Sequence, residues 1–471
     1  MEHTELNQAQ QIDPNIDPNM EKNITPAFLL KFALPTMISF AVMGIFGIVD
    51  GIFASRFIDA YALSAVGLVM PFLMFALSIG FMLGVGGNAL VAKEIGEGNL
   101  EYARKAMTLV SIVAFFVSVA ILAFGLMFPD IILNILGVDS EVYDISRTYL
   151  MAILPFLPLG ALGTIFQQFM ITEGKAHISM ISTIVSGLIG VLLNYIFIYQ
   201  MHMGLLGAGL STGIGYALPA LTGVIFFIYN RFTKNGVLYF VMPKFELFVL
   251  RRSATNGLSE MVTMMSASIT SIVMNNVLMD LDGPMGVAAV GIISAVQGLV
   301  ANVYIGYSSG IAPIISYNFG KGDTNNVKRL VRISFFIICS LAISMSVLTF
   351  MFPHLLIAIY EIDPVVHFDG FLIGLPIYDM SYTGIRLVSF GFVFMAINNF
   401  ISIMFTSLND GKISGLIAFC NGFLFVIAFI LIFSRLWGVN GAFMALPVAD
   451  AATFFVAGYL FLRFRNKFNY A

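Results

Sequence analysis

Twelve apolar stretches, each about long enough to cross a bilayer, follow one another through this chain. They lie near 28–53, 63–92, 106–128, 149–171, 178–200, 205–230, 254–279, 286–316, 330–352, 384–408, 413–434 and 439–462. A helix needs about 20 mostly apolar residues to span the hydrocarbon core. In lipid only helices and closed barrels satisfy every backbone group internally, and runs this long and continuous are helices. The expected fold is therefore an all-α polytopic membrane protein. Composition agrees, because 59% of the 471 residues are hydrophobic and 10% charged, against about a quarter charged in a soluble domain. The net charge of −3 gives no sign of a nucleic-acid partner. Cys339 and Cys420 both fall in apolar runs and are expected as free thiols. The first 27 residues are polar, contain "IDPNIDPN", and read as a disordered tail. They lack the basic-then-apolar layout of a cleaved signal peptide.

Basic residues set the orientation. The N-terminal tail, the even-numbered connections and the C-terminal tail hold 19 of the 23 Lys and Arg residues. The other side holds Arg56, Arg147, Arg386 and Arg435. Both termini are thus expected in the cytoplasm. The stretch 353–383 has no Lys or Arg and is expected as an outer loop.

The chain repeats itself. "AVGLVMPFLMFALSIGFMLGVGGNALVAKEIGEGN" from 65 matches "AVGIISAVQGLVANVYIGYSSGIAPIISYNFGKGD" from 289 at a constant offset of 224 residues. Gly67, Gly86, Gly96 and Gly98 meet Gly291, Gly310, Gly320 and Gly322. Later, "EGK" at 173–175 echoes "DGK" at 410–412, and "MGLLGAG" at 203–209 echoes "WGVNGAF" at 437–443. Six spans are thus followed by six similar spans the same way up, a parallel repeat about an axis along the membrane normal. Repeats of this kind mark secondary transporters. The expected division is a tail at 1–27, an N-lobe at 28–230, a cytoplasmic linker at 231–252, a C-lobe at 253–463 and a tail at 464–471.

Several motifs resemble the MATE family, the multidrug and toxic compound extrusion transporters. They are "ALPTMISF" and "VDGIFASRF" in the first run, "LSAVGLVMP" in the second, and "NGLSEMVTMMSASIT" in the seventh. Later come "GIAPIISYNFGKGD", "FTSLNDGKIS" and "GVNGAFMALPVAD". The resemblance covers nearly all of 28–463, and its details are closest to the bacterial MepA-like branch. It implies a V-shaped, two-lobed bundle of twelve helices that exports organic cations against inward H+ or Na+. In many members an aspartate near the end of the first helix binds the coupling cation, and Asp50 matches that position. A second family aspartate, in a pattern like "NxxxDP" on the fifth helix, falls on Asn194 here, with Gly190 at the asparagine. Members that bind Na+ in the other lobe use acids in the seventh and tenth helices. Here the seventh run holds Glu260, and the tenth holds Asn398 and Asn399 but no matching acid.

Asp50 stands six residues before Arg56, roughly 9 Å inside the end of the first helix. A carboxylate at membrane depth costs about 2.5–3.5 kcal/mol on insertion scales. Desolvation also brings its proton into exchange nearer neutral pH. The competing reading is a structural aspartate paired with Arg56 or with hydroxyls. Asn194, Ser211 and Thr212 could complete an oxygen-rich site with Asp50, or be ordinary polar glue between helices. In the second half the candidates are Glu260, Asn275 and Asp450. Glu260 could draw in cationic drugs or hold a proton; equally, it suits a helix start. Asp450 could serve the site or only hydrogen-bond within or between lobes. Glu173 and Asp410 are repeat mates at helix ends and read as structural. Pro35 breaks the hydrogen-bond ladder of the first helix and reads as a hinge or a static bend. The 27 Met and 46 Phe residues could line an adaptable pocket, although filler in lipid-facing helices explains most of them.

The sequence holds no Walker loop, no HExxH and no nucleophile triad, and His177 and His202 lack metal-ligand spacing. No enzyme chemistry and no cofactor is expected beyond H+ or Na+ as coupling ion, with Na+ placed at Asp50 if it binds. The leading reading is a multidrug antiporter of the bacterial plasma (inner) membrane, working by alternating access on small organic cations and drugs. A monomer in the bilayer is the expected state. A lipid-linked oligosaccharide flippase of related fold is the alternative. It calls for a cationic cleft, and the spans are almost free of Lys and Arg. A membrane enzyme or sensor is a third class, disfavoured by the repeat.

Overall fold

The computed structural model describes residues 24–58, 60–138, 140, 142–358, 367–368, 371–372 and 374–470. Most of the expected N-terminal tail lies outside the described residues, as do the side chains of Asp50 and Arg56. The spans are α1 (Pro26–Phe57), α2 (Ala60–Gly96), α3 (Leu100–Met127), α4 (Tyr143–Thr172), α5 (Ala176–Gln200) and α6 (Gly204–Thr233). Then come α7 (Leu258–Gly283), α8 (Met285–Gly320), α9 (Thr324–Met351), α10 (Gly374–Ser389 continuing as Phe392–Ser407), α11 (411–436) and α12 (439–468).

Ten described helices are long and apolar enough to cross a membrane, and the count reaches twelve in two steps. The last of the ten, Gly411–Phe468, is broken at Trp437 (φ −131°) and Gly438 (φ 59°), so it holds two spans. Ile377–Ser389 and Phe392–Ser407 form one further span bent by 51°. The protein is an all-helical, multi-pass membrane protein. Large apolar side chains such as Phe116, Ile225, Phe336 and Phe455 stand exposed on its outer surface, where water would penalise them and acyl chains would not.

The expected outer loop 353–383 is shorter than its composition suggests. Pro353–Ala358 is a short helix, His367–Phe368 pairs antiparallel with Phe371–Leu372, and α10 begins at Gly374. Residues 359–366 lie outside the described residues. Tyr378, Asp379 and Ser381 hid the start of α10 by lowering its hydropathy, but the segment is helical with one apolar face (buried Ile385 and Val388).

The repeat is visible in the backbone. Gly98 and Gly322, mates at offset 224, both turn through left-handed conformations (φ 84° and 74°) between successive spans. A side chain would strain either turn. Lys234 after α6 and Asn469 after α12 are likewise left-handed (φ 54° and 52°). Three apolar clusters form the core. Two lie within the first half, with Tyr317 and Val249 as the outliers, and the third is built from the second half. Leu29 and Ala33 of α1, with Ile24 just before it, join that third cluster, so α1 straps the two halves together.

Candidate functional site

The halves meet most closely at one end of the bundle, and small residues permit it. A Cβ on Gly96 would overlap the carbonyl oxygen of Tyr317, and a Cβ on Gly320 would overlap that of Lys93. Lys93 and Tyr317 are themselves repeat mates, so the contact is pseudo-twofold symmetric. Beside it, a Cβ on Gly86 would overlap Ser253 O, and one on Gly257 would overlap Met82 O. Asn409 Nδ2 donates to Ala89 O at 3.2 Å, and Asn256 Nδ2 to Asn409 Oδ1 at 2.6 Å. A small cavity beside this contact takes polar groups from both halves, Asn88 and Gln168 from the first and Ser309, Ser316 and Thr406 from the second, among apolar side chains such as Val85 and Ile403.

In the first half, α1 lies against α5. A Cβ on Gly187 would overlap the Phe46 ring. Asp50 follows one turn later on α1, about 6 Å along the axis, and Asn194 lies about 10 Å beyond Gly187 on α5. Odd-numbered spans run the same way, so the two positions are at similar depth on neighbouring helices. The Asp50 backbone is helical. Asn194 is buried at the start of a π-helical turn, Tyr195–Gln200, a distortion frequent at functional sites. Ser211 of α6 donates its hydroxyl to Asn194 Oδ1. Thr212 is half-buried and donates to Ala208 O at 3.0 Å within its own helix. α1 stays helical through Pro35, and the Ser39 hydroxyl donates to the Pro35 carbonyl at 2.9 Å.

In the second half the candidates Glu260, Asn275 and Asp450 lie at different places. Glu260 sits half-buried in the first turn of α7. Asn275 is 15 residues further along the same helix, about 22 Å away. Asp450 instead lies buried on α12, where it accepts from Asn421 Nδ2 at 3.0 Å. Asn398 Nδ2 donates to the Asp450 carbonyl at 2.8 Å. Asn421 had no signal of its own in the sequence, since one amide in an apolar run looks like any other. Its place in a second π-helical turn, Cys420–Phe425, is visible only in the structure. Both cysteines are free. Among the described residues no group of three His, Cys, Asp or Glu side chains could hold a metal.

Glu173, at the end of α4, holds the stretch that follows α6. Its carboxylate accepts from Val237 N at 2.6 Å and Leu238 N at 2.9 Å. Arg104 Nε donates to Val237 O at 2.7 Å, and Asn230 Nδ2 to Leu238 O at 3.1 Å. Burial pushes the Glu173 carboxyl up to about 7, against the downward pull of the two backbone N–H donors.

The MatE family model matches residues 35–196 and 260–432, one block in each half. The chain belongs to the MATE family. The multidrug export protein MepA of Staphylococcus haemolyticus (strain JCSC1435) is 24% identical over 444 residues, covering 93% of this chain and 94% of that protein. MepA of Staphylococcus aureus (strain MRSA252) is 24% identical over 435 residues, covering 91% and 92%. Among solved structures, a MATE in complex with MaL6 superposes with a TM-score of 0.86 at 19% identity, covering 96% of this chain and 98% of that one. The outward-facing conformation of a multidrug resistance MATE family transporter also gives 0.86 at 19% identity, covering 98% and 100%. The MATE fold therefore extends over essentially the whole chain. As a MATE protein this chain is a transporter rather than an enzyme.

Proposed function

We propose that this protein exports organic, mostly cationic compounds across the bacterial plasma membrane in exchange for H+ or Na+. The observation that carries the reading is the family match over both halves, together with relatives that are multidrug export proteins over nine-tenths of the chain. Asp50 is the proposed coupling-ion residue, with Asn194 and Thr212 beside it as neutral oxygens. Ion binding works as a drive only if the ion prefers one conformation. Pro35 is the proposed hinge of α1, and Glu260 and Asn275 are proposed to face the substrate or a cation from the second half. The lobes are taken as 28–230 and 253–463, joined by 231–252, in a monomer with both termini cytoplasmic. On that orientation the glycine contact closes the cytoplasmic end, and the conformation described is outward-facing. The oligosaccharide flippase is not favoured, because apart from their ends α1 to α12 hold almost no Lys or Arg to offer a pyrophosphate.

The test is export of a fluorescent organic cation from proteoliposomes under an imposed pH gradient or an imposed sodium gradient. One gradient should accelerate export severalfold and name the ion. If neither moves the dye, the antiport reading fails.

A further inference from the structure

The antiport reading leaves Asp450 without a task, yet its surroundings are incomplete in a specific way. Asp450 is 5% exposed, midway along α12, and makes no ion pair among the described residues. Asn421 supplies one neutral donor to Oδ1 at 3.0 Å. Asn398 is 2% exposed, and its amide is anchored at Asp450 through Nδ2, 2.8 Å from the backbone carbonyl. The other end of that amide, Oδ1, is buried with no donor. The break in α10 closes the third side: a Cβ on Gly391 would stand 3.2 Å from Asp450 Oδ2 and 2.8 Å from Pro447 Cα.

No charged neighbour relieves this cluster. The inner half of α10, Phe392–Ser407, carries no charged residue. Arg386 in the outer half holds its guanidinium over the Phe350 ring at 4.2 Å, while Tyr378, Asp379 and Tyr382 lie further out on that half. α11 brings Cys420 next to Asn421, with Lys412 at its far end. α7 carries Glu260 in its first turn and Asp280 and Asp282 in its last. α8 brings Tyr304, and Tyr307, whose hydroxyl donates to Ser334 at 3.2 Å.

An ionised carboxylate only accepts hydrogen bonds and cannot satisfy a bare amide oxygen, whereas a protonated carboxyl donates one. A sodium ion would need a fuller oxygen shell than one carboxyl and two amides provide. We propose that Asp450 is a second proton-carrying site, in the second half of the chain. The proton forms an O–H bond at Oδ2 and is shared with Asn398 Oδ1. On release that bond breaks, the proton passes to water, and the charge left behind lies under the bend of α10. The inference rests on the antiport reading only for what prompts release, which is substrate binding.

The experiment is infrared spectroscopy of the full chain in lipid nanodiscs near neutral pH. The wild type should show a protonated-carboxyl carbonyl band that Asp450→Asn loses and Asp50→Asn keeps. Asn398→Leu should shift the band to higher frequency, because the acceptor is gone. This second variant keeps the test decisive if Asp450→Asn does not fold. Adding tetraphenylphosphonium should diminish the band in the wild type. The proposal is overturned if the band is absent, if it survives in Asp450→Asn, or if sodium in place of choline removes it. A band that tetraphenylphosphonium leaves unchanged counts against substrate-prompted release, and so against the antiport reading. Failure of the antiport reading would appear separately, as proteoliposomes that ignore both gradients while the band persists.

Discussion

The two halves of this transporter share a backbone plan and differ in where they put their acids. At the ends of the fourth and tenth spans the repeat mates are Glu173 and Asp410. Glu173 is buried and grips two backbone N–H groups of the stretch after α6. Asp410 is partly exposed and meets Lys467 Nζ at 2.9 Å near the end of α12. In each case the chain leaves its last helix through a left-handed residue and tucks apolar groups back in, Val237 and Leu238 in one half and Tyr470 in the other. Within the membrane the acids also sit in different places. In the first half Asn194 pairs with Ser211 and the acid, Asp50, stands on α1, while the second half buries Asp450 on α12 against Asn421 and Asn398. A repeat therefore preserves helices and turns and leaves charge free to move between halves.

The sharpest way to break the symmetry argument is at the glycine contact. Gly96→Val and Gly320→Val should each cut transport in proteoliposomes by tenfold or more while the protein still folds. Matching losses support a two-sided closure. A loss in one variant only would show that the contact is not used symmetrically.

Removing an acid should cost more in the first half than in the second. Glu173→Ala leaves two buried N–H groups without an acceptor and should destabilise by roughly 2–4 kcal/mol, read as the midpoint of denaturant or thermal unfolding. Asp410→Asn breaks a pair with the half-exposed Lys467 and should cost about 1 kcal/mol or less. Equal costs would erase the contrast.

The pH dependence of Glu173 has a defined sign. Its folded value of about 7 lies above the ordinary 4.5, so the folded state binds more protons in that window and stability falls as pH rises through it. The thermal midpoint of the wild type relative to Glu173→Gln should therefore drop between about pH 5 and pH 7 and then level off. A flat profile over that range, with stability rising with pH only below about pH 4.5, would mean that the two N–H donors, not burial, dominate.

Asn194→Leu tests the neutral site in the first half and has a modest expected effect. The Ser211 hydroxyl keeps its bond to Ala208 O at 2.9 Å, so the loss should be about 1–2 kcal/mol of stability. A much larger loss would give Asn194 further structural partners of weight.

The spans, the repeat and the family were legible because each rests on many residues in series. Continuous apolar runs announce helices whatever their neighbours, and four glycines at one offset expose a duplication. The breaks at Gly283 and Trp437–Gly438 fall in the expected gaps between spans, at 280–285 and 435–438. The bend before Phe392 was less legible, and the polar start of α10 read as loop. The Asp450 cluster was hidden for another reason. Its members are 29 and 52 residues apart in sequence, and only tertiary packing shows that one amide oxygen has been left bare. Glu260, Asn275 and Asp450 each look like a polar residue in an apolar helix, so spacing along the chain cannot tell which of them meet.

The most direct test of the central claim is gradient-driven export by Asp50→Asn. Reconstituted at equal density with the wild type, under whichever gradient drives the wild type, the variant should bind tetraphenylphosphonium yet lose at least tenfold in driven export. Export at the wild-type rate would contradict the account, because coupling would then not run through the carboxylate of α1.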